Sequence, residues 1–379
     1  MVQLLWGAET LVNIDPDLIV EAAPVYQRPF EPWVAVNKVA QLPSKKINIG
    51  EIIQKKIEDL TLNSYQWIYQ QFDQRVGART ASACDQSVAF VRLDHSARGL
   101  GLALGCRPEV MLMDTQIGAL DAVYYPAFQL ALKGARVVAY TDCLNFGNPE
   151  KLNVMTEFVT SVESIALASK KLNAPVISGN VSFYNETGNE NIISTPAIGV
   201  VGLRNSVEGL IPETFQNSFE SLISVEFDWV KSFIFAESVK HNISLFKVNS
   251  SFEVSEFIKK CTEIDSQRII QNIPITSLKA VGLGGVAITC LKMCTETIGF
   301  DLSFDRHLEG DDELIQDCFY SFVLTTPKPD ETINFLKNIF NGIPVEIKKI
   351  GETIAEKISL NSNEQLDLAG FRNSYLKGL

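Results

Sequence analysis

Histidine is scarce in this chain: 379 residues hold only His95, His241 and His307, and none sits at metal-ligand spacing from another candidate ligand. The seven cysteines are odd in number and include no C-x-x-C pair. That argues against a zinc knuckle and a disulfide framework, and fits free thiols in a reducing cytoplasm. A basic excess is also missing. Lys plus Arg number 33 against 45 Asp plus Glu, a net charge of -12, which argues against a nucleic-acid binder, since such proteins present a basic face. A phosphorylated small molecule remains compatible, because a metal ion and backbone N–H groups supply local positive potential. No uncharged run is long enough to span a membrane, and no low-complexity tract or short tandem repeat is present. Met1–Trp6 carries neither a basic leader nor a long apolar core, so no signal peptide is expected. The expectation is a cytoplasmic protein that meets neither nucleic acid nor membrane.

What is present fits a globular chain with room for two or three domains: 46% of residues are hydrophobic and 21% charged. Val2–Trp6 reads as a strand, and Ala23–Pro29 as an extended linker, since proline biases its predecessor away from the helix. Helical spacing appears over Ile49–Leu60. Strands are expected at Ser87–Leu93, Gly99–Leu104 and Arg136–Tyr140. A helix is expected over Gln116–Lys133, with Leu120, Val123, Tyr124, Ala127, Phe128 and Ala131 inward. The next helix should start with Asn148 as N-cap and Pro149 as first residue. Its expected buried stripe is Met155, Phe158, Val159, Val162 and Ile165. Pro175–Ile177 is then a strand, and Val181–Leu203 a hairpin with Asn185–Asn189 at its tip. Beyond Arg204 a second α/β unit is expected. Its strands fall at Leu222–Phe227, Ser232–Glu237, Ser277–Val281, Cys318–Thr326 and Val345–Ile350. Its helices fall at Glu253–Cys261, Gly285–Cys294 and Asp330–Phe340.

Two polar stretches carry the chemistry: Thr141-Asp142-Cys143-Leu144-Asn145-Phe146-Gly147-Asn148-Pro149-Glu150-Lys151 and Ser178-Gly179-Asn180-Val181-Ser182-Phe183-Tyr184-Asn185-Glu186-Thr187. Each reads as a loop at the end of an apolar strand. The strand–helix–strand unit between them makes the strands parallel, so both loops share one sheet edge. Asp142 is a hard carboxylate suited to a nucleotide or to a metal's water shell. Asn180 offers an amide oxygen, a normal magnesium ligand beside phosphates. Gly179 lets the backbone approach a bulky anion. The same residues also fit a plain turn and helix cap.

These two strings closely resemble the synthetase subunit of phosphoribosylformylglycinamidine synthase, of the aminoimidazole ribonucleotide synthetase-like superfamily. Ala22–Pro29 is similar to the segment between that family's two halves, Trp67–Asp73 to the start of its second half, and Ile347–Gly351 to its closing strand. The resemblance covers nearly the whole chain but only the family's C-terminal half. It implies an α+β fold with mixed sheets: a lead-in over residues 1–62, an A-type domain over 63–204 and a B-type domain over 205–379. It implies ATP binding by Asp142 and Gly179, magnesium at Asn180 and ribonucleotide substrate at Ser182. It also implies de novo purine biosynthesis, in which formylglycinamide ribonucleotide becomes its amidine with ATP, magnesium and ammonia from glutamine. No general base or nucleophile is expected in this half, so no catalytic residue is assigned. The implied partners are the missing N-terminal half or a second copy, a glutaminase subunit and a small adaptor. Exposed A-domain strands should pair with that half or that copy.

The sequence departs from the family at Ala83-Cys84-Asp85-Gln86-Ser87, Gly105-Cys106-Arg107, Leu278-Lys279-Ala280-Val281-Gly282-Leu283-Gly284-Gly285 and Ile315-Gln316-Asp317-Cys318. By resemblance these belong to a mirror-image auxiliary nucleotide pocket, which is expected to be lost or altered. The expected function is a ligase half active only with its partner. The alternatives are a non-catalytic scaffold that pairs through its A domain, or an enzyme similar to aminoimidazole ribonucleotide synthetase.

Overall fold

The computed structural model describes residues 1–34, 64–82, 85–227, 230–232, 245–247, 253–303, 317–318, 320–360 and 364–377. The helix expected over Ile49–Leu60 lies outside the described residues, as do His241, His307, Ala83-Cys84, Ile315-Gln316 and most of the strand expected at Ser232–Glu237.

The chain opens with an antiparallel hairpin of β1 (Val2–Trp6) and β2 (Glu9–Ile14), turned at Gly7 with φ +61. A short helix, α1 (Pro16–Val20), is capped by the Asp15 side chain. A segment without regular secondary structure then continues to Val34, and α2 (Gln66–Tyr69) precedes the first large sheet.

That sheet has five strands in the order β3-β4-β9-β5-β6. They are β3 (Ala89–Arg92), β4 (Gly99–Gly105), β5 (Arg136–Asn145), β6 (Val176–Ser182) and β9 (Thr195–Arg204). β5 and β6 are parallel and the other pairs antiparallel. After β4 come α3 (Pro108–Met113) and α4 (Thr115–Leu132). Asp114 caps α4 by accepting from the Ile117 N–H. Of the inward positions expected for α4, Val123, Tyr124, Ala127, Phe128 and Ala131 are buried, while Leu120 is half-buried and packs against the core. Gly134, with φ +69, ends it in the left-handed region where glycine is at no disadvantage.

α5 (Leu152–Leu172) is the crossover from β5 to β6. It starts later than expected, with Lys151 as N-cap. Asn148 instead accepts the Glu150 N–H with its side chain, closing a turn ahead of the helix. The buried face is also rotated from the expected stripe. Val154, Thr160, Ser161, Ser164, Ile165 and Ala168 are buried, while Val162 is exposed. The hydroxyls of Thr160, Ser161 and Ser164 each donate to the carbonyl four residues back, so they enter the core already satisfied.

The expected Val181–Leu203 hairpin is not one. β6 and β9 do not pair; they flank β5 on opposite sides. Their connection carries a two-stranded ribbon, β7 (Glu186–Thr187) and β8 (Glu190–Asn191), turned by Gly188 and Asn189, both with positive φ.

A second sheet has seven strands in the order β13-β16-β10-β17-β14-β18-β19, mixed because β14 and β18 are parallel. They are β10 (Ser221–Phe227), β13 (Ser277–Ala280), β14 (Ile298–Leu302), β16 (Ser321–Thr326), β17 (Val345–Ala355), β18 (Ile358–Leu360) and β19 (Glu364–Leu366). Short strands β11 (Val230–Ser232), β12 (Leu245–Lys247) and β15 (Asp317–Cys318) form a third sheet. Among the described residues, the helices that accompany them are α6 (Val254–Ile270), α7 (Gly285–Met293), α8 (Pro329–Ile339) and α9 (Leu368–Lys377). The fold is α+β with mixed sheets. α4 joins its parts: the Phe128 ring lies 5.7 Å from both Phe257 of α6 and Tyr320, in one continuous apolar core.

Candidate functional site

The two polar stretches run side by side as strand rather than loop. In β5 and β6, Thr141 faces Ser178, Asp142 faces Gly179, Cys143 faces Asn180 and Asn145 faces Ser182. The parallel ladder therefore continues through both motifs. Polar residues are tolerated there because β6 is the edge of its sheet and is exposed along nearly its whole length.

Strand alternation sorts the four expected site residues into two pairs. Asp142 and Gly179 share the face that buries Tyr140 and Leu144, under the helices. Asn180 and Ser182 lie on the opposite, open face with Thr141 and Cys143. All four occupy one strand margin, but they are back to back and not one cluster. Asp142 lies against Gly179: a Cβ built on Gly179 would be 2.6 Å from the Asp142 Cγ. Partial burial pushes the Asp142 carboxyl up from its usual range, and a hydrogen bond from the Asn180 backbone N–H opposes that shift.

The backbone just after β6 is held firmly. Asn185 donates its amide to the carbonyls of Phe146 (2.9 Å) and Ser182 (3.0 Å), and the Ser182 hydroxyl lies 3.2 Å from the Asn185 Oδ1. Lys151 pairs with Glu186 at 2.8 Å and also reaches the Asn189 carbonyl and the Asn191 side chain. Its ammonium, first of all, holds the Glu186 carboxyl below its usual range. Gly147 passes so close to Asn191 that a Cβ there would lie 2.6 Å from the Asn191 Cβ. Lys151, Asn185, Glu186 and Asn191 were not singled out from sequence. Their one visible signal is the density of Asn, Glu and Lys in 145–151 and 185–191.

The open face beyond Asn180 turns apolar. Leu102 (46% exposed) and Leu104 (80% exposed) of β4 stand across from Val201 and Gly199 of β9. Among the described residues nothing covers these two leucines.

Residues 89–202 match the family model described as AIR synthase related protein, N-terminal domain. Among curated proteins, the chain is 28% identical over 388 residues to the phosphoribosylformylglycinamidine synthase subunit PurL of Campylobacter hominis, covering 94% of this chain and 51% of that protein. It is 34% identical over 222 residues to PurL of an Anaeromyxobacter species, covering 56% of this chain and 29% of that protein. The Thermotoga maritima PurL structure complexed with ATP superposes with a TM-score of 0.59 at 15% identity, covering 93% of this chain and 48% of that one. Other T. maritima structures of the same fold are PurL complexed with FGAR, at TM-score 0.59, and PurLQS, at 0.60. At such identity the structural likeness is one of fold. Residues 89–202 thus match an AIR synthase related domain, and the chain is similar to PurL along most of its length. It spans about half, or less, of the length of the curated PurL proteins it matches.

Two polar clusters lie along α4 and include Arg107, Ser87 and Lys279, from stretches expected to depart from the family pattern. Arg107 pairs with Asp121 (2.7 Å from Nε) and lies 4.2 Å from the Tyr125 ring centroid. Tyr320 donates to the same carboxylate at 3.0 Å, and Tyr125 donates to the Val281 carbonyl at 2.9 Å. Burial acts against the Arg107 charge, and the Asp121 carboxylate outweighs it. Nearby, Lys279 and Lys133 both pair with buried Glu213, which also accepts from the Ser87 N–H and hydroxyl. Burial raises the Glu213 carboxyl, but the two ammoniums and Ser87 prevail and hold it at about 2. Among the described residues, no group of three or more His, Cys, Asp or Glu is arranged to hold a metal. No helix among them is long and apolar enough to cross a membrane.

Proposed function

We propose that this chain is the C-terminal half of a phosphoribosylformylglycinamidine synthase. On this reading it contributes one side of the site where ATP and ammonia convert formylglycinamide ribonucleotide to its amidine, and it acts only with a separate N-terminal half. The observation that carries the reading is the paired ladder of Thr141–Asn145 and Ser178–Ser182 on an exposed sheet edge. The same sheet face carries exposed Leu102 and Leu104 on β4, three strands away from that edge. We assign residues 63–204 to the pairing domain and 205–379 to the second domain. A partner sheet laid on Leu102 and Leu104 would cover the face bearing Asn180 and Ser182, so a site at that margin spans two polypeptides. That partner is the missing half or a second copy of this chain. A glutaminase subunit and a small adaptor complete the assembly, in keeping with the PurLQS structure from T. maritima.

In this reading ATP phosphorylates the amide oxygen of the ribonucleotide, and ammonia then displaces phosphate. Catalysis of such a transfer is mainly positioning and charge neutralisation. Asp142, with Gly179 leaving room for it, seats the nucleotide, and Ser182 hydrogen-bonds the ribonucleotide. Magnesium supplies charge neutralisation on the phosphates when bound. The exposed amide of Asn180 suits one of its ligand positions, and a lone amide fits an ion held chiefly by phosphate and water. In place of a nucleotide pocket, Arg107 pairs with Asp121 and Lys279 with Glu213, which supports an auxiliary pocket lost from this half.

The test is reconstitution. ATP-dependent amidine formation is measured for this chain alone, for the remaining PurL half alone, and for the mixture. Activity in the mixture only is expected. A mixture that binds nucleotide and turns over equally well with Asp142→Ala would favour a scaffold instead.

A further inference from the structure

We infer that Arg28, Tyr184 and Glu150 form a clamp that sets the backbone leaving β6, and that Arg28 and Tyr184 are positioning residues for Ser182. The inference rests on the function proposed above for its ligand, but its geometry stands independently. Tyr184 has φ +60, a left-handed conformation that a bulky aromatic residue rarely adopts. Its side chain is 50% exposed, so burial of the ring does not impose that conformation. Polar contacts do. The Tyr184 N–H donates to the Gly147 carbonyl at 2.8 Å, and its hydroxyl donates to the Glu150 Oε1 at 3.0 Å. That hydroxyl accepts in turn from the Arg28 guanidinium at 3.1 Å, across 156 residues of sequence. Arg28 also lies 3.8 Å from the Glu150 carboxylate and 5.2 Å from the Tyr26 ring centroid.

The segment bearing Arg28 is tied down a second time, where the Glu31 N–H donates to the Thr156 hydroxyl of α5 at 3.0 Å. The clamp thus joins three remote pieces: the N-terminal segment, the turn before α5 and the end of β6. Its effect reaches Ser182 through one residue. Asn185, directly after Tyr184, bonds both the Ser182 carbonyl and the Ser182 hydroxyl. A Tyr184 relaxed to negative φ would carry Asn185 away from those atoms.

Two measurements test this. Hydrogen exchange by mass spectrometry is compared for the wild-type chain, Arg28→Ala, Arg28→Lys and Tyr184→Phe. The clamp predicts exchange over residues 182–187 faster by about fivefold or more in Arg28→Ala and Tyr184→Phe, with β9 unchanged. Unchanged exchange at 182–187 overturns it. Calorimetric binding of formylglycinamide ribonucleotide to the reconstituted complex is the second arm. Arg28→Ala should raise Kd about tenfold, Arg28→Lys should recover part of the loss, and Arg28→Ala should add little in a Ser182→Ala background. A full Arg28→Ala effect persisting without the Ser182 hydroxyl also overturns it. A wild-type complex that binds no ribonucleotide sinks the proposed function instead, and exchange alone then decides the clamp.

Discussion

The Asp142 carboxylate occupies the space that a side chain on Gly179 would need: a Cβ there would lie 2.6 Å from the Asp142 Cγ. The glycine therefore serves the aspartate on the neighbouring strand. Gly179→Ala should displace that carboxylate while leaving the ladder paired, because β6 is an exposed edge. The expected result is nucleotide affinity in the reconstituted complex reduced by about tenfold or more, with a melting temperature within a few degrees of wild type. Calorimetric titration with magnesium-ATP and a thermal melt check the two parts.

Asp142 should also separate stability from function. Its folded-state pKa is raised by partial burial, so ionising it disfavours the native state. The stabilising contribution of its protonated form is present below the unfolded pKa and is lost as pH rises through the folded value. Asp142→Asn should accordingly leave the melting temperature at neutral pH unchanged or slightly higher, while weakening magnesium-ATP binding. A large loss of stability would count against a binding role for this carboxylate.

Glu213 should behave in the opposite way. Its folded pKa of about 2 lies below the usual glutamate value of 4.5. The stability it contributes is present above the unfolded value and is lost as pH falls from about 4.5 through about 2. Removing its charge leaves the Lys133 and Lys279 ammoniums near each other without their shared anion, so Glu213→Gln should destabilise by about 3–5 kcal/mol at neutral pH. The loss should shrink in acid. Denaturant unfolding at several pH values measures both effects.

Leu104 is 80% exposed on the open face of β4. Leu104→Glu should change the stability of the isolated chain by no more than about 0.5 kcal/mol, as at other surface sites. It should abolish association with the partner half or with a second copy, because burying an unpaired carboxylate is costly. Sedimentation velocity of the mixture reads this directly.

Much of this fold is legible in the sequence, for stated reasons. The stripe of Val123, Ala127, Phe128 and Ala131 places α4. The parallel β5–α5–β6 unit follows from its strand–helix–strand pattern. The α5 stripe misled because Thr160, Ser161 and Ser164 bury polar groups satisfied within the helix. The Val181–Leu203 segment misled because local spacing cannot reveal that β5 inserts between its two strands. At the proposed site, the two polar stretches lie on neighbouring strands at one sheet margin, as the strand–helix–strand pattern implies. Strand alternation, which sets Asp142 and Asn180 on opposite faces, depends on pairing register and so on the fold. The Arg28–Tyr184 contact spans 156 residues and leaves no local trace.

The most direct test of the account is the rate of ATP-dependent formylglycinamide ribonucleotide conversion, with ammonium as nitrogen donor, by this chain mixed with the remaining half of a PurL protein. Wild type is compared with Asn180→Ala and Asp142→Ala. The account predicts no turnover by this chain alone, turnover in the mixture, and a loss of about a hundredfold or more in either variant. Turnover by the isolated chain, or variants that keep the mixture's full rate, would contradict it.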